Sequence, residues 1–465
     1  ISFSTGADTL SVVGAVTGSS ITFGGSSHVT IGGDFVNSTL TGAAGVDSVL
    51  FGGRTTGGSI DLGNGNNYLS IANVASGSTV TTGTGNDTLY FESSFNDGSI
   101  TAGGGTSAVN LISVAGAISS ATVTAGSGAD TIRFGAANSI SLVAGTGADS
   151  VVLTSTVTRS LLNMGAGSDT LTVTGHVSGT QITLSDGGVT LSGASETNTL
   201  IGGTGSDTLS IVGTSNTDSL TFGNGANYAT IGGAMTSTTL IGGAGVDLVL
   251  FGTANTSTQQ LGGGNDQLVF NGNVTGTRTE LGAGADSLYF ASKVNGATVL
   301  GEAGSDTIAF NAAVTSISID SGADADSLYF GGLVTGVSTI LGGAGNDTFN
   351  FASAVTGVIS GGAGNDSLIF AGSGTQTALT YYFGENGSAN ADTLYFSSGG
   401  TNNSIAIAFA GDATSSASAI QFTFDGTGTV IEGTKVGGDL QFGYIQGVST
   451  AGIDNAGAIT APSVS

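Results

Sequence analysis

Along most of the chain, apolar side chains come in pairs two residues apart, and the pairs return about every 20 residues. Leu89 and Phe91, Ile132 and Phe134, Val249 and Phe251, Leu288 and Phe290, Leu328 and Phe330, and Leu368 and Phe370 all have this form. Alternation with a period of two marks a strand with one buried face. A polar turn follows, often Val-Thr-Gly, as at Val334-Thr335-Gly336 and Val355-Thr356-Gly357. Next comes a second short strand rich in Thr, Ser and Ile or Val, such as Ser78-Thr79-Val80-Thr81, and glycines close the unit. The pattern predicts two strands and two turns per unit. No window carries helical periodicity with caps, so helix content should be very low.

Each apolar pair is preceded by a fixed slot in the string glycine-x-acid-x-apolar-x-apolar. The slot falls at Asp8, Ser27, Asp47, Asn67, Asp87, Ser107, Asp130, Asp149, Asp169, Gly187, Asp207, Asn227, Asp247, Asp266, Asp286, Asp306, Asp326, Asp347, Asp366 and Asp392. The 384 residues from Asp8 to Asp392 make nineteen intervals, and fifteen of the twenty slots are aspartate. A unit this small cannot bury its own apolar face, but stacked copies turn those faces into one core. The expected fold is all-β, a parallel β-solenoid of about 20-residue rungs over residues 1–396, like residues ~4.8 Å apart along the stack. From 397 to 465 the register stops, and alternating segments at 404–409, 419–424 and 439–444 read as a small C-terminal β cap or a region for assembly or secretion.

Composition narrows the function. Glycine supplies 84 of 465 residues, and 32 acidic against 6 basic residues leave a net charge of −26. So few basic residues cannot track a phosphate backbone, which excludes nucleic acid as a partner. The absence of cysteine excludes disulfide scaffolds and thiolate metal sites. No apolar run is long enough to span a membrane. Disorder is opposed by a 39 % hydrophobic content and a mean hydropathy of +0.31.

Stacking would set successive slot carboxylates about 5 Å apart, where two bare charges repel by about 3–4 kcal/mol at an effective dielectric near 20. The run Asp247, Asp266, Asp286, Asp306, Asp326, Asp347 and Asp366 therefore calls for counter-ions that six scattered basic residues cannot supply. A hard divalent cation held by carboxylate and carbonyl oxygens can, and flexible oxygen coordination favours Ca2+ over Mg2+. The candidate ligands are the fifteen slot aspartates, with Asn67 and Asn227 able to offer a carbonyl oxygen without charge. The row should break at Ser27, Ser107 and Gly187.

The slot and its glycines, sharpest in GGAGNDTFN from Gly342 and GGAGNDSLI from Gly361, resemble the G-G-x-G-x-D-x-U-x calcium-binding repeat of the RTX (repeats-in-toxin) proteins. The likeness covers about residues 1–396. RTX β-rolls place the motif on both turns of each coil, whereas this chain has it on one. That departure is more similar to RTX-derived solenoids with a single calcium row, found in a bacterial ice-binding adhesin domain and in parts of some surface-layer proteins. The resemblance implies type I secretion, calcium-triggered folding outside the cell and a role at the cell surface. No secretory leader is visible, and the chain starts at Ile1, with the repeat already running by Asp8.

Catalysis finds no cluster to carry it: His28 and His176 fall in separate turns and the six glutamates are dispersed, so no enzyme is expected. The paired outward Thr and Asn of an ice-binding RTX turn occur together only at Thr84 and Asn86. The position three after the slot faces outward and reads Tyr90, Val152, Leu250, Val269, Tyr289, Tyr329, Ile369 and Tyr395 on several rungs, a stripe suited to lateral contact. The sequence thus points to a secreted, calcium-stabilised structural protein that assembles as a homo-oligomer or polymer into a surface layer or filament, with cell-surface polysaccharide as a further partner. The alternative is a calcium-rigidified spacer, or the ligand-binding or ice-binding region of an adhesin.

Overall fold

A computed structural model describes residues 1–371 except 4, 106 and 107, and beyond them only the strand segments 376–382, 393–396, 405–410, 419–424, 431–434, 452–453 and 459–460. Among the described residues there is no helix, hence none long and apolar enough to cross a membrane. By internal contacts the chain divides into two compact units, Ile1–Gly233 and Ala234–Ser465. Each is a parallel β-solenoid of about 20-residue rungs.

A rung holds three strands rather than the two expected. In the rung after Asp87 these are Thr88–Phe91, Phe95–Asn96 and Ser99–Thr101. Each pairs in parallel with its counterpart one rung on, so three sheets wrap one core. The extra strand is the segment that reads as a Val-Thr-Gly turn. Val334–Thr335 is a two-residue strand with Val334 fully buried, and Gly336 makes the corner after it at φ 78°. Two residues show no period, which hides such a strand in the sequence.

That corner needs a left-handed residue on most rungs: Asn37, Gly57, Gly77 and Asp97 in one unit, and Thr256, Gly276 and Gly296 in the other. Gly, Asn and Asp meet the demand at low cost, whereas the β-branched Thr256 does so under strain. The apolar pairs after the slot are buried as the alternation requires, with Leu89, Phe91, Leu288 and Phe290 at 1 % exposure or less.

The two cores differ. In residues 1–233 the column four after the slot reads Ile31, Phe51, Ile71, Phe91, Val114, Phe134 before turning wholly aliphatic. In residues 234–465 the same column is all phenylalanine. Phe270, Phe290, Phe310, Phe330 and Phe351 stack with centroids 4.7–5.0 Å apart and ring planes within 9°. The third sheet's core column there has a polar interruption, with the Thr279 hydroxyl donating to Gln259 Oε1 at 3.2 Å and both residues fully buried.

Parallel pairing runs past residue 396, contrary to the expected end of the register. Strand Gln376–Tyr382 pairs with Ile405–Ala410, and Thr393–Phe396 with Ala419–Phe424. Ile431–Thr434 turns antiparallel along the edge of Ala419–Phe424, and Gly452–Ile453 pairs antiparallel with Ile459–Thr460. The segment 439–444 lies outside the described residues.

Candidate metal centre

The slot residue sits at the junction of the glycine turn and the first strand, with its side chain turned inward. Asp47, Asp87, Asp169, Asp306 and Asp366 are exposed by 1 % or less. One carboxylate oxygen, Oδ1, is held by the backbone and accepts the N–H of the slot residue one rung earlier. In the first unit, Asp47 accepts from Ser27, Asp87 from Asn67, Asp130 from Asn110, Asp149 from Asp130 and Asp169 from Asp149, at 2.7–2.8 Å. In the second unit the chain of bonds runs unbroken from the Asp247 N–H to Asp366 Oδ1, at 2.6–2.9 Å.

The other oxygen has no such partner. Oδ2 of Asp8, Asp47, Asp130, Asp149, Asp169, Asp266, Asp286, Asp306 and Asp347 is buried without a hydrogen-bond donor, and at Asp207, where Oδ2 accepts from Gly203, the orphan is Oδ1. These oxygens face more oxygen. A Cβ on Gly42 would stand 2.8 Å from Asp47 Oδ2 and 2.6 Å from the Leu62 carbonyl one rung on. The same pairing of the rung's own carboxylate with the next rung's carbonyl surrounds Gly301 and Gly342. Only glycine leaves room for that convergence, and two acceptors facing each other in a buried site are stable only with a cation or a proton between them.

Rungs without an aspartate show the alternative. Asn67 Oδ1 accepts the Asp47 N–H at 3.0 Å, and its Nδ2 donates to the Gly63 and Gly65 carbonyls at 3.0 and 3.1 Å. Asn227 likewise accepts from Asp207 and donates to the Gly225 carbonyl. The Ser27 hydroxyl donates to the Gly24 carbonyl at 3.2 Å. These side chains supply their own donor to the turn, so Asn67 and Asn227, expected as cation ligands, instead turn an amide N–H toward the turn carbonyls. The backbone donor fixes which amide atom is which.

The break expected at Ser107 is also misplaced. The slot is Asn110, which accepts the Asp87 N–H, donates its own N–H to Asp130 Oδ1, and gives Nδ2 to the Gly103 and Ala125 carbonyls. The signal was in the sequence: Ile112 and Val114 follow Asn110 at two and four, so the extra residues sit before the slot. Ser107 and Asp392 lie outside the described residues. Gly187 does occupy a slot, paired between Asp169 and Asp207.

Burial pushes the carboxyls up. Asp130, Asp306 and Asp326 rise to about 7, and Asp169, Asp266 and Asp347 to about 6, chiefly by loss of water. Neighbouring carboxylates add to the rise and the backbone N–H to Oδ1 opposes it. Asp47, Asp87, Asp149, Asp207, Asp286 and Asp366 shift the same way for the same first reason. Among the described residues no three His, Cys, Asp or Glu side chains gather to hold an ion. A cation here would take one carboxylate per rung and complete its shell with turn carbonyls, an oxygen set that suits calcium.

No family model matches the chain, and no curated protein does. A solved structure is similar: a hyperactive, Ca2+-dependent, β-helical antifreeze protein from an Antarctic bacterium, 22 % identical, covering 57 % of this chain and 78 % of that one, with a TM-score of 0.40. At that distance the calcium requirement stays a property of that protein, and for this chain it has to come from its own oxygens.

The remaining sequence candidates are dispersed. His28 is exposed at the start of a first-sheet strand, and His176 lies 3.5 Å from Glu196 on the surface. The stripe three after the slot does face outward, with Tyr289 and Tyr329 at 37 % and 39 % exposure, while the side chain of Tyr395 is outside the described set.

Proposed function

We propose that this chain is an extracellular structural protein whose solenoid is held by a row of calcium ions, and that it assembles with its own copies into a surface layer or filament. The observation that carries the calcium part is the row of buried carboxylate oxygens facing turn carbonyls with no donor between them. The outward stripe with Tyr289 and Tyr329 supports lateral contact between copies, and neutral cell-surface polysaccharide could stack on the same rings. Circular dichroism and electron microscopy with calcium and with excess chelator test both parts. Retention of β structure in chelator at neutral pH would sink the calcium reading; monodisperse monomers in calcium at high concentration would sink assembly. No reaction is proposed for it.

A second reading has one observation in its favour. On the third sheet of the first unit, the outward pairs Ser20/Thr22, Thr39/Thr41, Ser59/Asp61, Thr79/Thr81, Ser99/Thr101 and Thr122/Thr124 stack in register. Over these six rungs Asp61 alone interrupts the two hydroxyl columns, which end where Val143, Leu161 and Asn163 take the same positions; a regular face of this kind can order water, in keeping with the ice-binding alternative. Thermal hysteresis by the calcium-loaded protein, abolished by Thr79→Lys, is the expected result; none at millimolar protein rejects it.

A further inference from the structure

In the second unit, the core column of the third sheet changes chemistry near its end. It runs Val299, Ile319, Ile340, Ile359 and then Tyr381, which is fully buried where its neighbours are aliphatic. A buried phenol must bring its hydroxyl to a polar partner. The point where a Cβ on Gly361 would stand is 2.7 Å from Tyr381 Oη and directly against Asp366 Oδ2. At Gly42, Gly242 and Gly301 that point is shared by the slot carboxylate and a main-chain carbonyl of the next rung. Tyr381 thus brings a side-chain oxygen to a place where other rungs have a backbone one.

We propose that Tyr381 Oη is a neutral oxygen ligand of the cation site at Asp366, which makes this site chemically distinct from the others in the row. The proposal rests on the calcium reading above. It gives the Asp366 site an aromatic ring against the ion, whereas Tyr289 and Tyr329 turn their rings to the outer face of the sheet.

Terbium, a hard oxygen-seeking ion that tyrosine sensitises, is the probe, titrated into the full chain with excitation in the tyrosine band. Tyr381→Phe keeps the buried ring and removes the oxygen and most of the sensitiser. It should lose the emission of one bound ion and weaken calcium binding at one site by about tenfold or more. Asp366→Asn should lose the same component, and the double variant no more than either. Unchanged emission and affinity in Tyr381→Phe overturn the assignment while leaving the calcium row intact. Should Tyr381→Phe fail to fold by circular dichroism, Asp366→Asn decides: retention of the full tyrosine-sensitised emission overturns the assignment. A wild-type chain that binds neither terbium nor calcium overturns the calcium reading and this proposal together.

Discussion

The two units use one rung design in two ways. Residues 1–233 contain twelve slots, of which Asp8, Asp47, Asp87, Asp130, Asp149, Asp169 and Asp207 are carboxylates and Ser27, Asn67, Asn110, Gly187 and Asn227 are not. Residues 234–371 contain seven slots, all aspartate. Core and turn vary together. Each slot followed four residues later by phenylalanine is an aspartate, from Asp47 with Phe51 to Asp366 with Phe370, whereas every described slot lacking a carboxylate is followed by Ile, Val or Leu. From Ser27 to Phe134 the two kinds of rung alternate. The first unit thus mixes rungs whose slot lacks a carboxylate with rungs whose slot carries one, and in the second unit every slot from Asp247 to Asp366 carries one.

The largest consequence concerns metal removal. In excess chelator at neutral pH, hydrogen exchange on the intact protein should show strands between Leu248 and Phe370 losing protection well before those between His28 and Val114, where every second rung donates to its own turn. Simultaneous loss across both units would break the comparison.

Acid should reverse that loss. With carboxyls such as Asp306 and Asp326 raised to about 7 from an ordinary 3.8, the cation-free fold is favoured by protonation. That contribution is complete below about 3.8 and disappears as pH climbs through 6 to 7. The chelated protein should therefore melt higher at pH 4 than at pH 8, and calcium affinity should rise across the same window. A chelated melting temperature that climbs with pH would contradict the orphan-oxygen picture.

Core substitutions come next. Phe310→Ala opens a gap in a ring stack with partners at 4.7 and 5.0 Å and should cost about 3–5 kcal/mol. Ile71→Val, in the mixed column of the first unit, should cost about 0.5–1.5 kcal/mol. Denaturant unfolding at saturating calcium measures both.

Single slots separate charge from hydrogen bonding. Asp306→Asn keeps the Oδ1 that accepts the Asp286 N–H and offers a donor to the turn. In chelator it should stabilise by about 1–3 kcal/mol, and in calcium it should bind one ion fewer by isothermal titration calorimetry. The smallest effect is the reverse change: Asn67→Asp should add one ion per chain and leave the calcium-saturated melting temperature nearly unmoved.

Much of this could be read from the sequence because the repeat is strict. The period, the buried pairs such as Leu288 and Phe290, and the aspartate row all follow from fixed spacing. What stayed hidden lies where spacing carries no information. A two-residue strand such as Val334–Thr335 has no alternation to detect. Asn67 and Asp47 look interchangeable as oxygen donors until the Asp47 N–H claims Asn67 Oδ1 and leaves an amide N–H facing the glycines. Tyr381 and Asp366 lie 15 residues apart in sequence, and only the fold brings the Oη of one and the Oδ2 of the other to the same glycine, Gly361.

Interchangeable rungs also pose a difficulty for the chain as it folds. Seven successive rungs that each present an aspartate and a phenylalanine can pair one step out of place with little penalty in any single contact, an error that parallel strands correct slowly. In the first unit the alternation from Ser27 to Phe134 marks a single-step slip, because it would replace every contact between unlike rungs by one between like rungs. The second unit has no such alternation, but the buried Thr279–Gln259 hydrogen bond joins two particular rungs, and a single-step slip would set Gln259 or Thr279 against an aliphatic neighbour such as Val299 or Leu240. That polar pair in an otherwise repetitive interior is the mark by which a monotonous chain can count its turns.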